Sequence, residues 1–162
     1  MPDPLLPTAV TAWQALLRYV IASGVLNLIW EIAQMPLYTL WLTGSIPEIS
    51  YAILHCTAGD ILIASLSLTG ARVILRARNW PRDRSVSVAV VTIALALVYT
   101  VFSEWWNVEV RQAWAYRDVM PRLPGIGTGL SPLLQWLVVP LLVFWIVARL
   151  PGDHRRGDQK PN

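Results

Sequence analysis

Apolar residues run along this chain in four long blocks, separated by stretches that carry charge, glycine or proline. A bilayer core needs about 20 mostly apolar helical residues to cross it, and each block is long enough. The first runs roughly from Arg18 to Leu42 and the second from Ser50 to Leu75. The third, SVSVAVVTIALALVYTVFS over Ser85–Ser103, carries no charge at all. The fourth, LLQWLVVPLLVFWIVARL over 133–150, follows Ser131-Pro132, which reads as a helix start with proline in the first turn. The pattern predicts an all-α polytopic membrane protein: one four-helix domain over residues 1–150 and a polar, disordered tail over 151–162. The segment between the third and fourth spans carries Trp105, Trp106, Trp114 and Tyr116, so it is expected to lie at the membrane interface. Its GIGTG follows no strand and precedes no lysine, and reads as a connector and not a phosphate loop.

The polar positions that interrupt the blocks are few and patterned. In the first span Asn27, Glu31, Gln34 and Tyr38 recur at i, i+4, i+7 and i+11, one face of a helix. Pro36 removes a backbone donor, so a kink is expected about one turn before it. The second span contains HCTAGD, with His55 nearer its end and Asp60 deeper, Asp60 sharing a face with Cys56, Ala64 and Ser67. Thr100, Glu104 and Asn107 share a face at the end of the third span, and Gln135 opens the fourth. Ionisable groups at membrane depth cost about 2.5–3.5 kcal/mol each even on lenient scales, and they face the bundle interior. One polar pocket holding Glu31, Gln34, His55, Asp60, Glu104, Asn107 and Gln135 is therefore expected.

Composition agrees with this location. The 162 residues are 55% hydrophobic and only 14% charged, against about a quarter charged in soluble domains. The mean hydropathy is +0.48. A net charge of +3 raises the question of nucleic acid, but the basic residues sit at the ends of the apolar blocks, where they act as topology signals and exclude that reading. Arg18, Arg72, Arg76, Arg78, Arg82, Arg84, Arg149, Arg155, Arg156 and Lys160 fall on one side, ten of thirteen; Arg111, Arg117 and Arg122 fall on the other. Both termini are expected in the cytoplasm of a bacterial inner membrane, with the pocket in the outer half of the bilayer. The single cysteine excludes an internal disulfide, and the N-terminus lacks the charged and apolar regions of a signal peptide.

Three function classes fit such a pocket. The first is a binding, structural or accessory role in the cell envelope, with membrane lipids as partners, a lipid-like or small-molecule ligand, and homo-oligomers for any transport role. The second is an intramembrane enzyme acting on a lipid-linked headgroup. There Glu31 and Asp60 would divide acid and base roles, His55 would shuttle protons, and Arg111, Arg117 and Arg122 would receive a phosphate. The third is a divalent-metal site built from Glu31, His55, Asp60 and Glu104, donors suited to Zn, Mn or Fe. No GxSxG elbow, Walker motif or dinucleotide fingerprint occurs.

The order Glu31-x-x-Gln34 near the end of one span, with Asp60 and small residues in the next, resembles the VanZ-like family of small multi-span bacterial proteins linked to glycopeptide resistance. The resemblance covers residues 25–75. It departs from the family at Ala64, where an Asn is expected, and lacks a basic residue before the Asp, His55 being the nearest substitute. It implies a cell-envelope setting and importance for Glu31, Gln34 and Asp60, and it implies no reaction.

Overall fold

The computed structural model describes residues 12–149. The tail over 151–162, with Arg155, Arg156 and Lys160, lies outside the described residues. Four helices are long and apolar enough to cross a membrane, which makes this a multi-pass membrane protein. They are α1 (Ala12–Gln34), α3 (Ile46–Ile74), α4 (Ser85–Trp105) and α5 (Leu130–Arg149), with a single turn of helix, α2 (Leu40–Thr43), between the first two. Among the described residues there is no strand, only two isolated antiparallel bridges, Tyr38 with Tyr116 and Arg122 with Gly129. α1 packs on α3, α3 on α4, α4 on α5, and α5 back on α1, so the spans close into a ring in chain order.

Proline changes the first span from what its apolar pattern predicts. The helix does not kink and continue to Leu42. It stops at Gln34, tightens to a 3-10 turn over Met35–Leu37, and leaves Tyr38 extended at φ −105°, ψ 151°. The physical reason is Pro36, which lacks the N–H that would bond Ile32 and crowds that carbonyl. Tyr38 therefore leaves the Asn27–Glu31–Gln34 stripe. At the other end α1 is already helical at Ala12, the first described residue and upstream of the expected Arg18, because one arginine does not interrupt an otherwise continuous helical pattern.

The second span also starts earlier than predicted, at Ile46, because Ser45 and Glu48 form a capping box. The Ser45 N–H donates to Glu48 Oε2 at 2.8 Å and the hydroxyl donates to the same oxygen at 2.7 Å. Ser45→Ala is expected to lower stability by about 1 kcal/mol, measured by unfolding in mixed micelles; an unchanged midpoint would mean the cap contributes nothing. α4 passes into a π-helical turn over Trp106–Val110, and Pro140 sits inside α5, freeing the carbonyl of Trp136.

The bundle interior is built from small and polar residues, and the large aliphatic ones point outward. α1 buries Ala15, Tyr19, Ser23, Asn27, Glu31 and Gln34; α4 buries Val88, Thr92, Ala96, Thr100 and Glu104, one every turn. Ile29, Leu62, Leu66, Val90 and Leu141 are all more than half exposed. Lipid solvates such side chains as well as a protein core does, so helices associate through close backbone approach and polar contacts. The interior divides by height. At the arginine-rich end it is aromatic: Trp80, from the loop between α3 and α4, packs edge-on against both Tyr19 and Phe144 with centroids 6.0 Å from each, and those two rings meet one another at 5.5 Å. Arg84 Nη1 donates to the Leu75 carbonyl at 2.7 Å and closes the end of α3 there. At the opposite end the interior is polar.

Candidate functional site

The polar end is organised around Gln135 on α5, 2% exposed. Its side-chain amide donates to Asn27 Oδ1 at 2.9 Å and Asp60 Oδ2 at 2.8 Å, with Glu31 Oε1 further away at 3.3 Å. Gln34 Nε2 donates to Glu31 Oε1 at 2.7 Å and to Gln135 Oε1 at 3.3 Å. Ser131, one turn before Gln135, donates its hydroxyl to Gln34 Oε1 at 2.8 Å. Asn27 closes the lower edge by donating to the Ser23 carbonyl at 2.9 Å. Helical repeat explains the convergence: Asn27, Glu31 and Gln34 lie on one face of α1, Ser131 and Gln135 one turn apart on α5, and Asp60 on the buried face of α3.

The Glu31 and Asp60 carboxyls lie within hydrogen-bonding reach of each other. The charged groups acting on this pair are its own two members and Glu104; among the described residues no basic side chain joins them. A cluster rich in acceptors, acidic and uncompensated by a cation is an environment that a hydrogen-bond donor or a positive charge would relieve.

Glu104 stands above the cluster at the end of α4 and accepts a hydrogen bond from the Tyr116 hydroxyl. The same hydroxyl accepts from the Gly129 N–H at 3.1 Å. Tyr116 stacks obliquely on Tyr38, with centroids 5.5 Å apart. Burial raises both phenols above their ordinary range, and the Glu104 charge adds to the shift. Both therefore stay protonated through neutral and mildly alkaline pH, which keeps Tyr116 a donor. Cys56, half-buried one turn before Asp60, lies in the field of Glu31, Asp60 and Glu104.

The expected pocket thus assembles in part. Asn27, Glu31, Gln34, Asp60 and Gln135 come together, with Glu104 beside them. His55 does not: it is exposed and stacks on Tyr51 at 5.5 Å. Five residues of α-helix turn it about 140° away from Asp60, so it faces out of the bundle. Asn107 is half-buried in the π turn and donates to the Ser103 carbonyl at 2.8 Å. The arginines are engaged separately. Arg117 Nη1 donates to the Pro36 carbonyl at 2.6 Å, Arg122 lies over the Tyr116 ring at 5.1 Å, and Arg111 is exposed. With His55 gone from the metal donor set, no three His, Cys, Asp or Glu side chains among the described residues are gathered as metal ligands.

Ser131 and Tyr116 are site residues that the sequence pattern did not single out. Ser131 reads locally as a helix start, and its inward hydroxyl follows from standing four residues before Gln135. Tyr116 reads as an interfacial aromatic, and no periodicity in its irregular segment indicates that it turns inward. Comparisons with protein-family models, curated proteins and solved structures return no match to this chain.

Proposed function

We propose that this is a bacterial inner-membrane protein, both termini cytoplasmic, that binds a polar ligand at the Glu31–Asp60–Gln135 cluster in the outer half of the bilayer. The orientation rests on the ten-to-three division of basic residues. Protease protection or reporter fusions at both termini test it; a periplasmic terminus would overturn it. The binding reading rests on one observation: three helices direct two carboxyls and three side-chain amides at one point, with no cation among them. Amides alone would suffice to hold helices together. Intramembrane carboxylates are a costly way to do so and mark ligand or ion sites. The ligand chemistry that fits is a group with hydrogen-bond donors and positive charge, an ammonium above all, on a lipid headgroup or a small molecule. The resemblance to VanZ-like proteins at Glu31, Gln34 and Asp60 supports a cell-envelope role.

Thermal unfolding with short-chain phospholipids tests the ligand class. Phosphatidylethanolamine is expected to raise the midpoint more than phosphatidylcholine, whose quaternary ammonium is positive but has no N–H, and phosphatidylglycerol is expected to have no specific effect. Free ethanolamine separates a small-molecule site from a lipid site. Equal shifts from all headgroups would contradict the proposal. The contact between Glu31 and Asp60 favours a second reading, proton transfer to a lipid-linked headgroup, because adjacent carboxyls can divide acid and base roles.

A further inference from the structure

The connection between α4 and α5 crosses the polar end of the bundle and is tied to it at few points. The Ala115 carbonyl accepts from Thr39 N–H at 2.9 Å, and Arg117 N–H donates to the Leu37 carbonyl at 2.9 Å. The Arg117 guanidinium donates to the Pro36 carbonyl, and the Tyr116 hydroxyl bonds Glu104. Arg111, Gln112, Ala113, Ala115, Asp118 and Val119 are exposed, while Tyr116, Met120, Thr128 and Gly129 are buried and the half-buried Trp114 turns its indole nitrogen inward. The segment is entered through a π turn and a residue with left-handed backbone, Gln112 at φ 52°. Segments with few buried contacts and little regular hydrogen bonding open at lower free energy than the helices that carry them.

Tyr116 bonds Glu104 and packs on Tyr38, which follows α1 and its 3-10 turn beyond Gln34, so the two rings lie at the polar end of the bundle next to the carboxyls. We propose that residues 111–129 form a strap over the cluster, latched by the Tyr116 hydroxyl on Glu104, and that release of Tyr116 opens the cluster to water. This rests on the reading of the cluster as a ligand site and names the step that admits the ligand. Gly129 supplies a second means of moving the latch. A Cβ there would meet the Tyr116 ring at 3.1 Å and Met120 Sδ at 3.2 Å, tight enough that the ring must give by a few tenths of an ångström and lengthen its bond to Glu104.

The chain carries its own reporter, because Cys56 is its single cysteine and lies beside the carboxyls. The full-length protein in proteoliposomes is treated with a charged, membrane-impermeant thiol reagent that cannot reach Cys56 through lipid. The expected result is slow labelling of the wild type, accelerated about tenfold in Tyr116→Phe, as loss of one buried hydrogen bond implies. Gly129→Ala is expected to accelerate it similarly. Labelling of folded wild type as fast as of detergent-unfolded protein, or no acceleration in either variant, overturns the strap. Unfolding midpoints of both variants guard against global unfolding: acceleration only in a variant whose midpoint has collapsed counts against the proposal. Accelerated labelling without any headgroup-specific stabilisation of the wild type would sink the ligand reading and leave the strap standing. Headgroup binding with unaltered labelling would do the reverse.

Discussion

Replacing Gln135 with leucine is expected to lower the unfolding free energy by about 2 kcal/mol, given about 0.6 kcal/mol on average and up to about 1.7 for each interhelical hydrogen bond in a membrane. The side chain serves acceptors on α1 and α3 from a position on α5, so its loss strands Asn27 Oδ1 and Asp60 Oδ2 together. Glu31 is less affected, because Gln34 still donates to it at 2.7 Å. Gln135→Glu is expected to be worse than leucine, since it adds a third buried carboxyl beside Glu31 and Asp60 and removes the amide that donates to Asp60 and Asn27. The midpoint of unfolding in sodium dodecyl sulfate and mixed micelles measures both. A glutamate variant as stable as the wild type would mean that the cluster is more open to water than its burial indicates.

A larger loss, about 4 kcal/mol, is expected at the other end of the bundle from Trp80→Ala, on the scale of large-to-small aromatic truncations in cores. Trp80 is 1% exposed and meets Tyr19 and Phe144 edge-on. Its indole nitrogen has no hydrogen-bond partner among the described residues, so the side chain acts by shape and area alone. Trp80→Phe should therefore recover most of the loss, and the same unfolding assay distinguishes the two. If phenylalanine were as damaging as alanine, the indole N–H would have a partner that this packing does not supply.

The spans were legible because lipid demands an unbroken apolar exterior. Leu62, Val90 and Leu141 are large and hydrophobic because they face outward, and the four blocks they mark became α1, α3, α4 and α5. The polar stripe was legible for the complementary reason. Asn27, Glu31 and Gln34 recur at helical spacing, and only an inward face tolerates them. What the pattern misjudged turns on backbone chemistry and on angle. Tyr38 fits the same periodicity on paper, but Pro36 ends the helix before reaching it. His55 is close to Asp60 in sequence yet points out of the bundle, because polarity alone does not decide which way a residue near the membrane end turns. Trp80 and Tyr116 sit in irregular segments, where no periodicity encodes direction, and each reaches inward through contacts distant in sequence. Tyr116 bonds Glu104 and Gly129, and Trp80 packs on Tyr19 and Phe144.

The claim that the carboxyl–amide cluster is a ligand site and not a helix seam is tested most directly by Glu31→Gln and Asp60→Asn, measured for stability with and without phosphatidylethanolamine. Each variant keeps the shape and an accepting oxygen for Gln135 while removing a carboxyl. The expected result is an unfolding midpoint equal to or above the wild type without lipid, because a buried acid is no longer present, and loss of the lipid-induced stabilisation. A marked fall in the lipid-free midpoint, with the lipid response intact, would contradict the account and assign the cluster to helix association.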